Sequence, residues 1–285
     1  MKMTSAGRIS AILMLILLPL ALIATGPTAV ARVYEYQQKD KAEERKRSIQ
    51  RLERDKRRVT MAIQTTNTLI DRSRHRPYLP ELYLRLAELH IEQSRIVYLL
   101  RKNQHTGKET ALDQLESNSL KKRAIEIYQR ILNHFPEFPE RDKVYFFMAH
   151  EFGELGQLED MVKQYRTLIA KHKDSQYAPE AYLLLGDYFF SRQNLPHAQK
   201  HYLAVIDYPK SSASIIARYK LGWCYINNAD YPRALKLFEE AVFHSSGDQK
   251  VNIDTYRHVN VRLEALIDMA YCYPEVFKKS SPREA

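Results

Sequence analysis

Only 8 glycines and two cysteines occur among the 285 residues of this sequence. Two cysteines, Cys224 and Cys272, cannot make the multi-bridge framework of a small disulfide-stapled fold. Few glycines beside plentiful Leu, Ala, Glu, Lys and Arg disfavour sheets and favour helices packed on helices. No Gly-x-Ser-x-Gly stretch is present. Gly107-Lys108-Glu109-Thr110 lacks the earlier glycine and the strand–loop–helix setting of a phosphate loop. His197 and His201 have the spacing that puts two ligands on one helical face, but no glutamate follows His197 and no third ligand stands near. A solvated histidine pair is therefore expected, not a metal site. With no catalytic residues to name, the chain is expected to be non-enzymatic, without cofactor, metal or small-molecule substrate.

Long apolar runs are absent too, with one exception. Ile9 to Ala24, broken only by Pro19, follows the positive Lys2 and Arg8, and Gly26-Pro27 ends any helix. Ala29-Val30-Ala31 then supplies the small residues that a signal peptidase needs. A membrane span requires about 20 apolar residues, and this run is shorter. Residues 1–31 are expected to be a signal peptide cleaved after Ala31, which would deliver the chain to the periplasm. The alternative is an uncleaved inner-membrane anchor. No cysteine lies near the cleavage point, which excludes a lipoprotein anchor there.

The net charge of +10 is local. Residues 32–76 hold fourteen Lys/Arg against seven Asp/Glu, whereas residues 77–285 hold twenty-eight against twenty-seven. From Val33 to Arg74 there is no proline or glycine, so this basic stretch reads as one long helix. Ile49, Leu52, Lys56, Val59, Ile63, Thr66 and Ile70 alternate three- and four-residue steps, the seam of a coiled coil with two polar members. Arg45-Lys46-Arg47 and Lys56-Arg57-Arg58 are its basic clusters. They read either as a solvated face or as a docking point for an acidic partner or anionic lipid headgroups. Nucleic acid ranks below both, because an exported chain rarely meets it.

Internal repetition decides the fold class. Tyr182-x2-Leu185-Gly186-x2-Phe189 matches Arg218-x2-Leu221-Gly222-x2-Tyr225. Ala198 and Ala234, Tyr202 and Phe238, and Val205 and Ala241 come next, each pair 36 residues apart. Backwards, the register continues through Tyr145-x2-Met148-Ala149-x2-Phe152 with Met161-x3-Tyr165-x2-Leu168. Before that comes Tyr83-x2-Leu86-Ala87-x2-His90 with Ala124-x3-Tyr128-x2-Ile131, closing at Pro136. Extra residues between those last two halves predict longer helices and a loop near Asn103 to Thr110. Forward, Leu266-x2-Met269-Ala270-x2-Tyr273 opens a fifth unit. Glycine or alanine at 87, 149, 186, 222 and 270 lets a paired helix approach closely, and aromatics at 152, 189 and 225 fill the space between. Pro196 and Pro232 fall in first helical turns, where a missing N–H costs little.

This pattern resembles the tetratricopeptide repeat (TPR), a helix–turn–helix unit whose consensus reads Trp-x2-Leu-Gly-x2-Tyr, then Ala-x3-Phe, then Pro. The consensus tryptophan is Tyr or Arg here, and alanine stands for glycine in some units. The resemblance implies an all-α, TPR-type α-solenoid of antiparallel helix pairs preceded by a long basic helix. Its divisions are 1–31, signal peptide; 32–76, basic helix; 77–136, a divergent repeat with a long insertion; repeats at 137–175, 176–211 and 212–247; and an incomplete unit at 248–285. Pro282-Arg283-Glu284-Ala285 looks like the opening of a second helix at Pro232-Arg233-Ala234, so the last unit is expected to be truncated or completed by a partner. In this register Cys224 and Cys272 hold the same place in neighbouring repeats. Stacked helices lie about 8–10 Å apart, beyond the reach of about 7 Å for a disulfide, so both are expected to be buried small hydrophobes.

The resemblance further implies that first helices line a concave groove for a protein or peptide. The inward positions are Phe146, His150, Leu183, Asp187, Phe190, Tyr219, Trp223, Ile226, Asn227, Ile267 and Tyr271. The stretch Pro80-Glu81-Leu82-Tyr83-Leu84-Arg85-Leu86-Ala87-Glu88-Leu89, entered from the basic helix, looks like exported TPR proteins of bacterial gliding-motility machinery. Less specifically, it is similar to those of outer-membrane assembly and envelope constriction. The chain is thus expected to be a scaffold for cell-envelope proteins, or alternatively a membrane-tethered organiser.

Overall fold

The computed structural model describes residues 29–104, 111–245 and 260–277. The apolar run from Ile9 to Ala24, Gly107 to Thr110 and Pro282 to Ala285 lie outside them. Among the described residues there are ten α-helices and no strand. They are α1 (Ala29–Arg72), α2 (Leu79–Gln104), α3 (Ala111–His134), α4 (Arg141–Glu154), α5 (Leu158–Lys171), α6 (Ala178–Ser191), α7 (Leu195–Ile206), α8 (Ala213–Asn227), α9 (Tyr231–His244) and α10 (Val261–Val276). No described helix is long and apolar enough to cross a membrane. The chain divides into two compact units, Met1–Gln64 with Glu92–Ser117, and Thr65–Ile91 with Asn118–Ala285.

In the first unit several seam positions of α1 are partly sheltered from solvent. Val59 is buried and Ile49, Leu52 and Ile63 are half-buried. Gln93 on α2 donates to Thr60 Oγ1 at 2.9 Å, and a buried Ser94–Ser117 hydrogen bond of 2.8 Å joins α2 to α3. Within this unit α1 is thus joined to α2 and α3 by polar contacts. A heptad pattern states only that one helical stripe is buried, not which helix covers it. Two of the six basic residues are also engaged internally. Arg45 donates to the Asn103 carbonyl, and Lys56 pairs with Glu116 at 3.1 Å. Lys46, Arg47, Arg57 and Arg58 remain exposed, and the Arg47 and Arg58 ion pairs, at 4.0 Å to Glu43 and 3.8 Å to Asp55, are solvated enough to contribute little.

The second unit is built of antiparallel pairs. Helices α4–α5, α6–α7 and α8–α9 pack as pairs, and each second helix also packs on the next first helix. A close fit at one register position explains the pairing. A Cβ built on Gly186 would lie 2.5 Å from Tyr202 Cδ1, and one on Gly222 would lie 2.5 Å from Phe238 Cε1. Both rings are fully buried, so glycine here is a requirement of close helix approach. The turns inside pairs repeat as well. Gly156, Gln193 and Ala229 all take positive φ (73°, 59° and 56°). The residue after each donates its N–H back to the carbonyl of Phe152, Phe189 or Tyr225, at 2.8, 2.9 and 2.9 Å. This closes the first helix with a left-handed residue. The side chains of Asn194 and Asp230 then cap the second helices by accepting from the N–H groups of His197 and Arg233.

Apolar side chains from successive pairs merge into clusters that no single pair could form. One runs from Leu84 and Tyr128 through Met148 and Tyr165 to Leu185; the next joins Leu183 and Tyr202 to Ile216 and Leu221. Cys224 and Cys272 are both free and fully buried, as the register implies, and burial pushes the Cys224 thiol up to about 12.

Candidate functional site

First helices of the second unit touch one another, α6 with α8 and α8 with α10. Elements on the inside of a curved stack are the ones that crowd, so these helices form its inner face. Across that face runs a repeated polar link. Asp187 reaches Lys220 at 3.6 Å, and Trp223 donates through Nε1 to Asp268 at 3.0 Å. Asp187 and Trp223 hold the same register position in their repeats, as do Lys220 and Asp268 in the next. Asp187 also accepts from the buried Tyr202 hydroxyl at 2.7 Å, so one carboxylate ties α6, α7 and α8 together. Tyr219 joins the second link: burial, with Trp223 opposing and Asp268 and Glu264 reinforcing, pushes its phenol up to about 12.

The eleven inward positions separate into three groups. Phe146 and Leu183 are not on the face: they are 5% and 0% exposed. Phe146 stacks on Tyr177 at 4.9 Å, while Leu183 belongs to the cluster with Ile216. Their position points into the seam between successive pairs. Asp187, Tyr219 and Trp223 are half-buried and hold repeats together through the links above. His150, half-buried, lies 3.4 Å from the buried Glu151. The surface available to a partner comes from the rest. Phe190 and Asn227 meet in a shallow cleft of about 570 Å³ with Ser191, Gln193 and Leu195. Ile226 is half-buried beside them in the sequence, and Ile267 and Tyr271 on α10 are 56% and 59% exposed.

The histidine pair differs from expectation. His197 is exposed, but its ring packs on Phe189 at 5.1 Å, and half-buried His201 stacks on the same ring at 5.4 Å and 3°. Burial, with Arg166, Lys200 and His197 nearby, pulls the His201 imidazole down from 6.5 to about 4. A histidine whose folded pKa is depressed contributes its stability above the unfolded value and loses it as pH falls through 6.5 towards 4. After allowance for partial exposure, acidification from pH 7 to 4 is expected to cost on the order of 1–2 kcal/mol at this site. Urea denaturation of His201→Gln should lack that part of the acid slope; an unchanged slope would refute the assignment. Among the described residues no group of three His, Cys, Asp or Glu is placed to hold a metal.

A sequence model of the tetratricopeptide repeat matches residues 217–242, spanning most of α8 and α9. The fold is a tetratricopeptide repeat array. BtubC (BKLC) from P. vanneervenii, at 16% identity, superposes with a TM-score of 0.55 over 79% of this chain and 84% of that one. A Podosopora anserina chain of nearly identical TPR-like repeats, also 16% identical, gives 0.48 over 71% and 91%. No curated protein sequence matches. In TPR terms, the glycine–aromatic contacts lie within repeats and the Asp187–Lys220 and Trp223–Asp268 links lie between them.

Proposed function

We propose that this chain is a non-enzymatic scaffold that holds protein partners in a cell-envelope complex. The observation that supports it most directly is the inner face of the TPR array, where the Phe190–Asn227 cleft and the exposed Ile267 and Tyr271 offer apolar surface beside amide groups. Aromatic and aliphatic anchors of this kind dominate protein recognition. The positive start, short apolar run and Ala29-Val30-Ala31 support export to the periplasm, with release after Ala31. The first repeat, entered from the basic helix, favours a gliding-motility machine as the assembly served. Exposed Lys46, Arg47, Arg57 and Arg58 suit an acidic partner or an anionic membrane surface.

A photo-crosslinking residue placed at Asn227 or Tyr271 in envelope fractions should give discrete protein adducts, and one at the exposed Glu239 of α9 should not. Adducts from Glu239 alone would refute inner-face binding. Sequencing the N-terminus of the mature protein tests export: Arg32 at the start supports it, and Met1 favours the tethered organiser.

A further inference from the structure

A second cleft, of about 600 Å³, lies where α5 meets the end of α6. Its apolar floor is Val162, Ala170 and Phe189, and its cations Lys163, Arg166 and Lys171 face a single acid, Glu159. Among the described residues, Lys163 and Arg166 have no carboxylate partner. Arg166 instead lies over the face of Phe189, 5.7 Å from its centroid, the ring on which His201 stacks.

That arrangement prepares one kind of contact. A guanidinium laid over an aromatic face keeps its N–H edge free, and the planar edge matches a carboxylate in two parallel hydrogen bonds. Because the ring already restrains the side chain, little rotamer freedom remains to be lost on binding. The apolar floor demands more than a bare anion: a volume within the usual range for ligand pockets, about 300–1,000 Å³, has room for an aliphatic or aromatic side chain beside the carboxylate.

We infer that this cleft is a docking site for an acidic peptide segment of a partner protein, one carrying a Glu or Asp next to a large apolar residue. The carboxylate pairs with Arg166 and Lys163, and the apolar neighbour packs on Val162, Ala170 and Phe189. The site is separate from the inner face and does not depend on it.

The test uses the whole chain and a labelled peptide of alternating Glu and Phe, with its Gln-for-Glu counterpart, monitored by fluorescence anisotropy. The Glu peptide is expected to bind more tightly than the Gln peptide. Arg166→Gln should weaken the Glu peptide by about tenfold or more, while Lys236→Gln, at an exposed site on α9, should leave it unchanged. The His201 ring signals should shift on titration. Equal affinity for both peptides, equal loss in the two variants, or binding without a His201 shift would each overturn the inference. Displacement by millimolar phosphate as effectively as by the unlabelled peptide would overturn it as well, leaving a small-anion site. Neither result bears on crosslinks from Asn227, so the inner-face reading stands or falls separately.

Discussion

Replacing Gly186 by valine is expected to destabilise the protein by about 3 kcal/mol. The added Cβ would meet the Tyr202 ring at a separation that real side chains do not show. Tyr202 cannot step aside, because it is fully buried and its hydroxyl is anchored on Asp187. The α6–α7 pair would therefore have to separate. Alanine at the same place should cost less, about 1–2 kcal/mol, since its better helix propensity returns about 1 kcal/mol. Gly153 supplies the contrast. A Cβ there meets only the side chain of Met161, its sulfur at 2.9 Å, and methionine is flexible. Gly153→Ala should thus lie within about 0.5 kcal/mol of the parent. Chemical denaturation of the three variants gives the ranking, and a Gly186→Val protein as stable as Gly153→Ala would refute the close-packing account.

Trp223→Ala is expected to cost about 2–4 kcal/mol, concentrated in α10. The indole is half-buried in the last cluster and its N–H is held by Asp268, so truncation removes both packing and a link to the final helix. Hydrogen exchange should show faster exchange across Val261–Val276, with α4 to α7 unchanged. Trp223→Phe keeps most of the packing and should cost about 1 kcal/mol. Undiminished protection of α10 in the alanine variant would rule out the stapling role. Because of this role, a lost partner in Trp223→Ala cannot by itself be read as lost contact with the indole, and Asn227 is the better probe of the inner face.

The repeat is legible in the sequence because its strongest constraint is local and chemical. Gly186 and Gly222 face Tyr202 and Phe238 inside one helix pair, and any sequence that closes such a pair must place a small residue against a large ring at fixed spacing. The seams between pairs are harder to read. Phe146 and Leu183 sit one residue beyond a motif aromatic, and whether that position meets solvent or the next repeat depends on how far successive pairs rotate. Nothing in a 36-residue period states that rotation. His201 departs from its expected solvation for a related reason: two polar side chains on one face read as solvated, but Phe189 from α6 stacks on His201, while His197 stays exposed. The seam of α1 is recognisable as a stripe, while its polar links to Gln93, Asn103 and Glu116 come from residues distant in sequence. The Arg166 cleft leaves no signal because its walls come from two helices, each with ordinary surface composition.

The polar ties across the inner face have a mechanical consequence. Each joins one first helix to the next, so pulling neighbouring repeats apart strains these ties before the apolar clusters behind them. One is an ion pair, which salt weakens, and the other rests on a neutral indole donor, which salt screens less. Raising ionic strength should therefore soften the joint between α6 and α8 more than that between α8 and α10, giving the array a compliant middle and a stiffer end.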